Sequence, residues 1–337
     1  MKKSKRILSG LGSAAILING AVAVAENETF SFTQAQGETV SYGAISNVQG
    51  VFSFDQEQLT PSDEVFNLFG TVLTGACAKP AFALENSRAT YYINVGGKIE
   101  KSYSVNLGFM AEQKEQERTL LCACATGPAT ANVKVTGVAV EDILELSKPA
   151  EDVNAFTAVG SDGYGTTLPL RYVLEKGAMI AYKLNGENLP SGTQLWIPET
   201  VAKYFTRDVV DIVLSHEDFI SEVEGRDPAY RAETVIMNYM DGASFKLGEQ
   251  IDFEGYADDC GEAISQVEFS MDGGNTWTAY STQGATADRW VYWHYQITPE
   301  SAGEYMLSVR ARTVNGTVSP LATNLVFSVT EDVGERI

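Results

Sequence analysis

Histidine and cysteine, the residues that most often carry chemistry, are both scarce here: two and four copies in 337 residues. His216 and His294 stand far apart, and no C-x-x-C or mixed Cys/His spacing of a zinc site occurs, so zinc is not expected. Four cysteines (Cys77, Cys122, Cys124 and Cys260) are too few for a scaffold built on disulfides. They allow three pairings, and the sequence does not choose among them. Positive charge is also short, with 24 Lys and Arg against 44 Asp and Glu, a net charge of −20. That excess repels a nucleic-acid backbone and an anionic membrane surface, so neither is an expected partner. No apolar run of about 18 residues follows the N-terminal segment, so no transmembrane span is expected. G-x-S-x-G, H-E-x-x-H and phosphate-loop motifs are missing, as is the C-x-x-C-H haem motif.

What is present points to β-structure. Thirty glycines, 15 Phe, 15 Tyr and 44% hydrophobic residues suit a globular β-rich chain. At about 150 residues per domain, the length predicts two domains, each with its own core. Residues 1–25 read as an export segment. Lys2, Lys3, Lys5 and Arg6 are followed by an apolar stretch from Ile7 to Val24 and an Ala23-Val24-Ala25 cleavage pattern. Cleavage there leaves 20 basic against 44 acidic residues, a mature charge of −24. The expected location is therefore periplasmic or otherwise extracytoplasmic.

Along the mature chain, a polar stretch to about Asn67 predicts loops and short strands. Strands are predicted at Phe69 to Leu73, Thr90 to Val95, Arg118 to Cys124, Phe156 to Val159, Met179 to Leu184, Leu195 to Pro198 and Val209 to Leu214. Helical spacing appears at Val140 to Leu146 and Leu168 to Leu174. This mixture makes residues 26–228 an α+β domain. From about Arg231 the pattern becomes six alternating strands separated by turns such as Asn315-Gly316, the mark of an immunoglobulin-like sandwich over 229–337. Within it, alternation sets Trp290 and Tyr292 on one face, and Trp293 and Tyr295 on the other. One face must fill the core and the other be covered; Trp277 is expected in the core. Ser270-x-Asp272-Gly273-Gly274-x-Thr276-Trp277 matches an Asp-box turn. A propeller would need that motif repeated, so it reads as a hairpin turn with no catalytic part.

Five further segments carry a resemblance to a known family. They are Leu120-Leu121-Cys122-Ala123-Cys124-Ala125-Thr126-Gly127-Pro128 with Thr136-Gly137-Val138; Gly160-Ser161-Asp162-Gly163-Tyr164 with Leu168-Pro169-Leu170; Ala181-Tyr182 through Asn185-Gly186 to Leu189-Pro190; Pro198 to Ile212 with Lys203-Tyr204; and Val267 to Trp277 with Val309-Arg310-Ala311. In this order they resemble the sulfite oxidase-like molybdopterin oxidoreductases, whose molybdopterin-binding domain precedes an immunoglobulin-like dimerisation domain.

The resemblance implies a molybdenum–molybdopterin cofactor and an enzyme, exported by its N-terminal segment, that passes an oxygen atom to or from a small substrate. It also implies that electrons are exchanged with a separate redox protein, and that a homodimer forms through the second domain. A cysteine thiolate would ligate the metal. Cys124 is preferred by its small-residue turn, and Cys122 is the second choice. Asp162, Gly163 and Tyr164 would line the cofactor, with Tyr164 beside the reacting centre, and Lys203 and Arg207 would meet the phosphate. Two features depart from the family. Where it carries a His-Gly-x-Pro-x-Arg segment, this chain has Ser191-Gly192-Thr193-Gln194, which weighs against sulfite as substrate. Lys5-Arg6 stands in place of a twin arginine. Both departures favour an alternative, a cofactor-free extracytoplasmic binding or interaction protein on the same fold.

Overall fold

Period-two alternation dominates the sequence, and the chain is accordingly mostly strand in the computed structural model, which describes residues 28–33, 39–73, 92–190 and 192–331. The export segment and Cys77 lie outside the described residues.

Two five-stranded sheets build the first unit. One runs Glu187–Asn188, Met179–Leu184, Thr130–Ala139, Glu115–Ala123, with Gln194–Trp196 also paired to Met179–Leu184. The other runs Tyr103–Asn106, Tyr92–Gly97, Val209–Ser215, Ala155–Gly160, Gly165–Pro169. The expected helices are present as Val140–Leu144 and Leu170–Glu175, and Val140, Ile143 and Leu144 are buried as their spacing requires. One expectation fails. Phe69 to Leu73 is not a strand but the end of the helix Ser62–Leu73, which kinks at Phe69. Val65 and Phe69 are four residues apart and both buried, so the helical period governs, and Asp63 and Glu64 suit its first turn.

The second unit is a sandwich of a seven-stranded and a four-stranded sheet. The six predicted strands appear at Ile251–Asp258, Ile264–Ser270, Thr278–Ser281, Val291–Ile297, Gly303–Thr313 and Thr323–Thr330. The N-terminal stretch joins them. Val51–Asp55 pairs with Val291–Ile297, and Thr39–Ala44 meets Gly303–Thr313 where Gly43 faces Tyr305. A Cβ on Gly43 would lie 2.9 Å from the Tyr305 ring, which explains the glycine. Phe52 anchors this segment, stacked 5.1 Å from Tyr280 in the sandwich core. The sheets therefore do not follow the expected 26–228 and 229–337 limits at the N-terminal end.

The aromatic strand behaves as alternation demands. Trp293 and Tyr295 fill the sandwich core, while Trp290 and Tyr292 join the core of the first unit. Trp290 stacks 4.5 Å from Tyr256 and donates its indole N–H to the Gln58 carbonyl at 3.0 Å. Trp277 departs from expectation and is only half-buried. Asp272 closes the turn by accepting from Ser270 Oγ at 2.8 Å and Thr276 N at 2.9 Å. That turn leaves the Trp277 indole donating to the Gly274 carbonyl at 3.0 Å, with the Arg310 guanidinium 4.0 Å above its ring.

Phe269 lies at the centre of the sandwich, stacked 3.9 Å from Tyr295 and edge-on to Trp293 at 5.4 Å. Phe269→Ala is expected to cost about 3–5 kcal/mol, because its rigid aromatic neighbours cannot close the cavity. Urea unfolding measures this; a loss under about 1 kcal/mol would show that the core collapses around the gap.

Candidate cofactor site

The Glu115–Ala123 and Thr130–Ala139 strands form a hairpin whose tip carries both candidate thiols. Cys122 pairs with Ala131 inside the ladder and is fully buried. Cys124 stands just past the strand end, half-buried, its amide donating to the Ala129 carbonyl at 2.8 Å. Desolvation, with smaller contributions from Cys260 and Cys124, pushes the Cys122 thiol well above its ordinary value. Cys260 is likewise pushed up to about 12, mainly by burial and then by Asp258. Cys122, Cys124 and Cys260 are all free thiols. A metal ligand must be a thiolate, and Cys124 has the access that Cys122 lacks.

The hairpin tip is tied down from the sandwich side. Asp227 N donates to the Ala125 carbonyl at 2.8 Å, and Arg226 reaches the Gly127 carbonyl at 3.3 Å. The Arg226 side chain is fully buried and pairs with Asp258 at 2.7 Å and Glu233 at 2.6 Å. Burial lowers its basicity, but the two carboxylates outweigh this and raise it. Sequence reasoning missed this cluster. Arg226-Asp227-Pro228 signalled only a boundary, and Asp258 is 32 residues away with no spacing to mark it.

Upstream on the same segment, Glu224 links to the second group of predicted residues. Its carboxylate pairs with Lys203, and its amide donates to the Tyr204 hydroxyl at 2.9 Å. Three residues of chain, a reach of about 10 Å, therefore separate the contacts to Lys203 from those to the thiol hairpin. Asp162, Gly163, Tyr164, Lys203 and Arg207 are brought together. Asp162 accepts from Tyr164 N at 2.9 Å and from Arg207 at 3.2 Å, and the Tyr164 hydroxyl lies 3.4 Å from the Lys203 carbonyl. Gly163 holds φ +80° in the turn, a conformation that a side chain would strain. Tyr164 is half-exposed.

Other motif residues have structural work. A Cβ on Gly137 would sit 2.2 Å from the Ile180 carbonyl, so Thr136-Gly137-Val138 needs glycine for sheet packing. Asn185 and Gly186 form a left-handed turn (φ 50° and 85°), and Asn185 Oδ1 accepts from Lys134 N at 2.9 Å. The segment in place of the family's His and Arg is folded in. Thr193 is buried and donates to the Val209 carbonyl at 3.0 Å, and Gln194 is buried in its strand; Ser191 lies outside the described residues.

Residues 81–220 match the family model described as oxidoreductase molybdopterin binding domain. The chain is 26% identical over 185 residues to mitochondrial sulfite oxidase of Macaca fascicularis, covering 45% of this chain and 34% of that protein. Its fold superposes on the sulfane dehydrogenase SoxCD of Paracoccus pantotrophus with a TM-score of 0.54 at 19% identity, covering 68% of this chain and 69% of that one. Residues 81–220 therefore carry an oxidoreductase molybdopterin binding domain, and the comparisons support a sulfite oxidase-like molybdopterin oxidoreductase. A further member-like match is nitrate reductase (NADPH) of Leptosphaeria maculans, 38% identical over 72 residues, 19% of this chain and 8% of that protein. The chain thus spans about a third, or less, of the length of these curated relatives.

For a molybdopterin cofactor the donor set fits in a graded way. The accessible Cys124 thiol suits the metal, and the Asp162 turn suits a heterocycle edge. Lys203 is held by Glu224, whose side chain is largely exposed, and such a surface pair is worth only about 0–1 kcal/mol and exchanges readily. Arg226, in contrast, is sealed between Asp258 and Glu233 and is not exchangeable.

That sealed cluster titrates. Burial, partly offset by Arg226 and reinforced by Asp258, lifts the Glu233 carboxyl from 4.5 to about 7. A carboxyl raised on folding binds more protons in the folded state. Its stabilisation is therefore complete below about pH 4.5 and lost as the pH rises through about 7. The urea midpoint is expected to fall between about pH 5 and pH 7.5, and Glu233→Gln should flatten that slope. An unchanged slope in the variant would assign the titration elsewhere.

Proposed function

We propose that this chain is an exported molybdopterin-dependent oxidoreductase. It would transfer an oxygen atom to or from a small substrate and exchange electrons with a separate redox protein. The observation that carries this reading is the half-buried Cys124 thiol at a hairpin tip fixed by Arg226, within a molybdopterin-binding domain. When bound, molybdenum–molybdopterin supplies two-electron oxygen-atom chemistry, and the protein supplies binding and orientation.

In this reading Cys124 offers the metal a thiolate, a soft donor matched to a soft centre. The Asp162 carboxylate accepts N–H donors from the pterin edge while Arg207 holds it in place. Lys203, whose present partner Glu224 is exposed, would be free to exchange it for the cofactor phosphate. Tyr164, half-exposed with its hydroxyl beside the Lys203 carbonyl, would hold a substrate oxygen or a proton. With a mature charge of −24 and Ser191-Gly192-Thr193-Gln194 in place of the family's His and Arg, few cationic groups are left to draw in sulfite, which weighs against it as substrate.

Metal and pterin analysis of the mature protein, purified from a host that assembles the cofactor, tests this reading. Wild type is expected to carry about one molybdenum per chain. Cys124→Ser should lower that at least tenfold, Lys203→Ala should lower it less, and Cys122→Ser should leave it nearly unchanged. Wild-type protein without molybdenum would overturn the enzyme reading in favour of a cofactor-free binding protein. Loss in Cys122→Ser with retention in Cys124→Ser would overturn the ligand assignment.

A further inference from the structure

A second cluster of ligating side chains lies on the sandwich, away from the thiol hairpin. Asp252 and Glu254 stand two residues apart on Ile251–Asp258, and His294 on Val291–Ile297 is the direct cross-strand partner of Glu254. Alternation puts all three on one face of the four-stranded sheet, because Phe253, Trp293 and Tyr295 between them point into the sandwich core. His294 Nδ1 lies 3.5 Å from Asp252 Oδ1 and 4.0 Å from Glu254 Oε1. One ligand atom from each residue falls within 4.8 Å of the other two.

Two features separate this group from ordinary surface acidity. Asp252 Oδ1 is closed off from solvent and has no hydrogen-bond partner, although it faces the imidazole. The Asp252 side chain is 38% exposed, so the carboxylate can be reached from solvent while Oδ1 itself faces the imidazole. The other oxygen of the Glu254 carboxylate, Oε2, accepts from the Tyr292 hydroxyl at 2.6 Å. That bond orients Oε1 toward His294, the kind of outer support that metal-binding carboxylates receive. The charge of the group points the same way, since its two carboxylates are negative and a divalent cation would offset them.

We propose that Asp252, Glu254 and His294 form a binding site for a first-row divalent transition ion, with zinc as the probe. Tetrahedral zinc at about 2.0–2.2 Å from each ligand spaces the ligands about 3.3 Å apart, so closing this cluster requires shifts of roughly an ångström or less. One imidazole nitrogen with two carboxylate oxygens suits zinc or manganese, whereas calcium seeks six to eight oxygens. The fourth position is left to water. The ion would pin the Ile251–Asp258 and Val291–Ile297 strands together beside Tyr292, whose ring packs into the core of the first unit. Sequence spacing argued against zinc because the ligands lie 40 residues apart and become neighbours only through strand register.

Calorimetric titration of metal-free mature protein with zinc chloride tests the site, and its outcome does not depend on molybdenum content. The expected result is one site per chain at micromolar affinity or tighter, weakened at least tenfold in His294→Ala and in Asp252→Asn. It should be retained in His216→Ala, and in Cys124→Ser, which removes the competing thiol. Calcium chloride at the same concentrations should give no binding. Should His294→Ala fail to fold, Asp252→Asn carries the comparison. Thermal unfolding gives a second readout, with zinc raising Tm in wild type and in neither ligand variant. No zinc site in wild type, or equal zinc affinity in both ligand variants, would overturn the proposal. Calcium binding equal to zinc would overturn the assignment to a transition ion.

Discussion

The buried guanidinium of Arg226 is the constraint on which the arrangement of this protein turns. It is fully enclosed, shared by Asp258 and Glu233, and still reaches the Gly127 carbonyl. Two of those partners belong to the sandwich and the third to the thiol hairpin. Removing the charge would strand two carboxylates in a desolvated pocket, the situation in which a broken buried pair costs most. Such a cluster is weak evidence for net stability against an apolar replacement. It does tie the hairpin tip to the sandwich, since the Gly127 carbonyl and the two sandwich carboxylates converge on one guanidinium. Cys124 takes its place from that tie, through the Ala125 and Gly127 carbonyls on either side of the turn.

Around this pin the two units share a continuous interior. Leu121 N donates to the Asp288 carbonyl at 2.6 Å, so the thiol strand is bonded directly to a sandwich loop. Asn132 gathers the carbonyls of Gln56 and Gln58, and Gln58 in turn accepts from Trp290. The segment from Gln56 to Thr60 therefore holds both units, and Tyr256, Cys260, Trp290 and Tyr292 belong to the core of the first. The two units are thus one packed body across the described residues, with the Cys124 hairpin bordering the seam.

Much of the fold was legible because strands declare themselves by alternation and turns by Asn-Gly and Asp-Gly pairs. The assignment of Trp290 and Tyr292 to one face, with Trp293 and Tyr295 on the other, needed nothing beyond the period of two. The failures share a cause. Phe69 to Leu73 is locally apolar, and only the wider spacing with Val65 reveals the helix. The strands near the N-terminus are polar on their outer faces and gain identity from pairing with residues some 240 positions later, which no local window contains. Trp277 was expected in the core on size alone, but the Asp272 turn aims it at Arg310 instead.

The site was legible in proportion to how locally its parts are held. Asp162, Gly163 and Tyr164 lie in one turn, whereas Lys203 and Arg207 precede the strand Val209–Ser215 and were grouped with them only through the family resemblance. Arg226 and its carboxylates come from three separate segments and have no signature. Their chemistry nevertheless explains a feature of the composition. In a chain with 24 cations and 44 acids, each cation is in demand, and burial decides which pairs can be traded. Lys203, paired with an exposed Glu224, stays available to an incoming anion, whereas Arg226 is committed to architecture. The same scarcity leaves the carboxylates of Asp252 and Glu254 facing a histidine on the outer face, where a metal ion supplies the charge that the sequence does not.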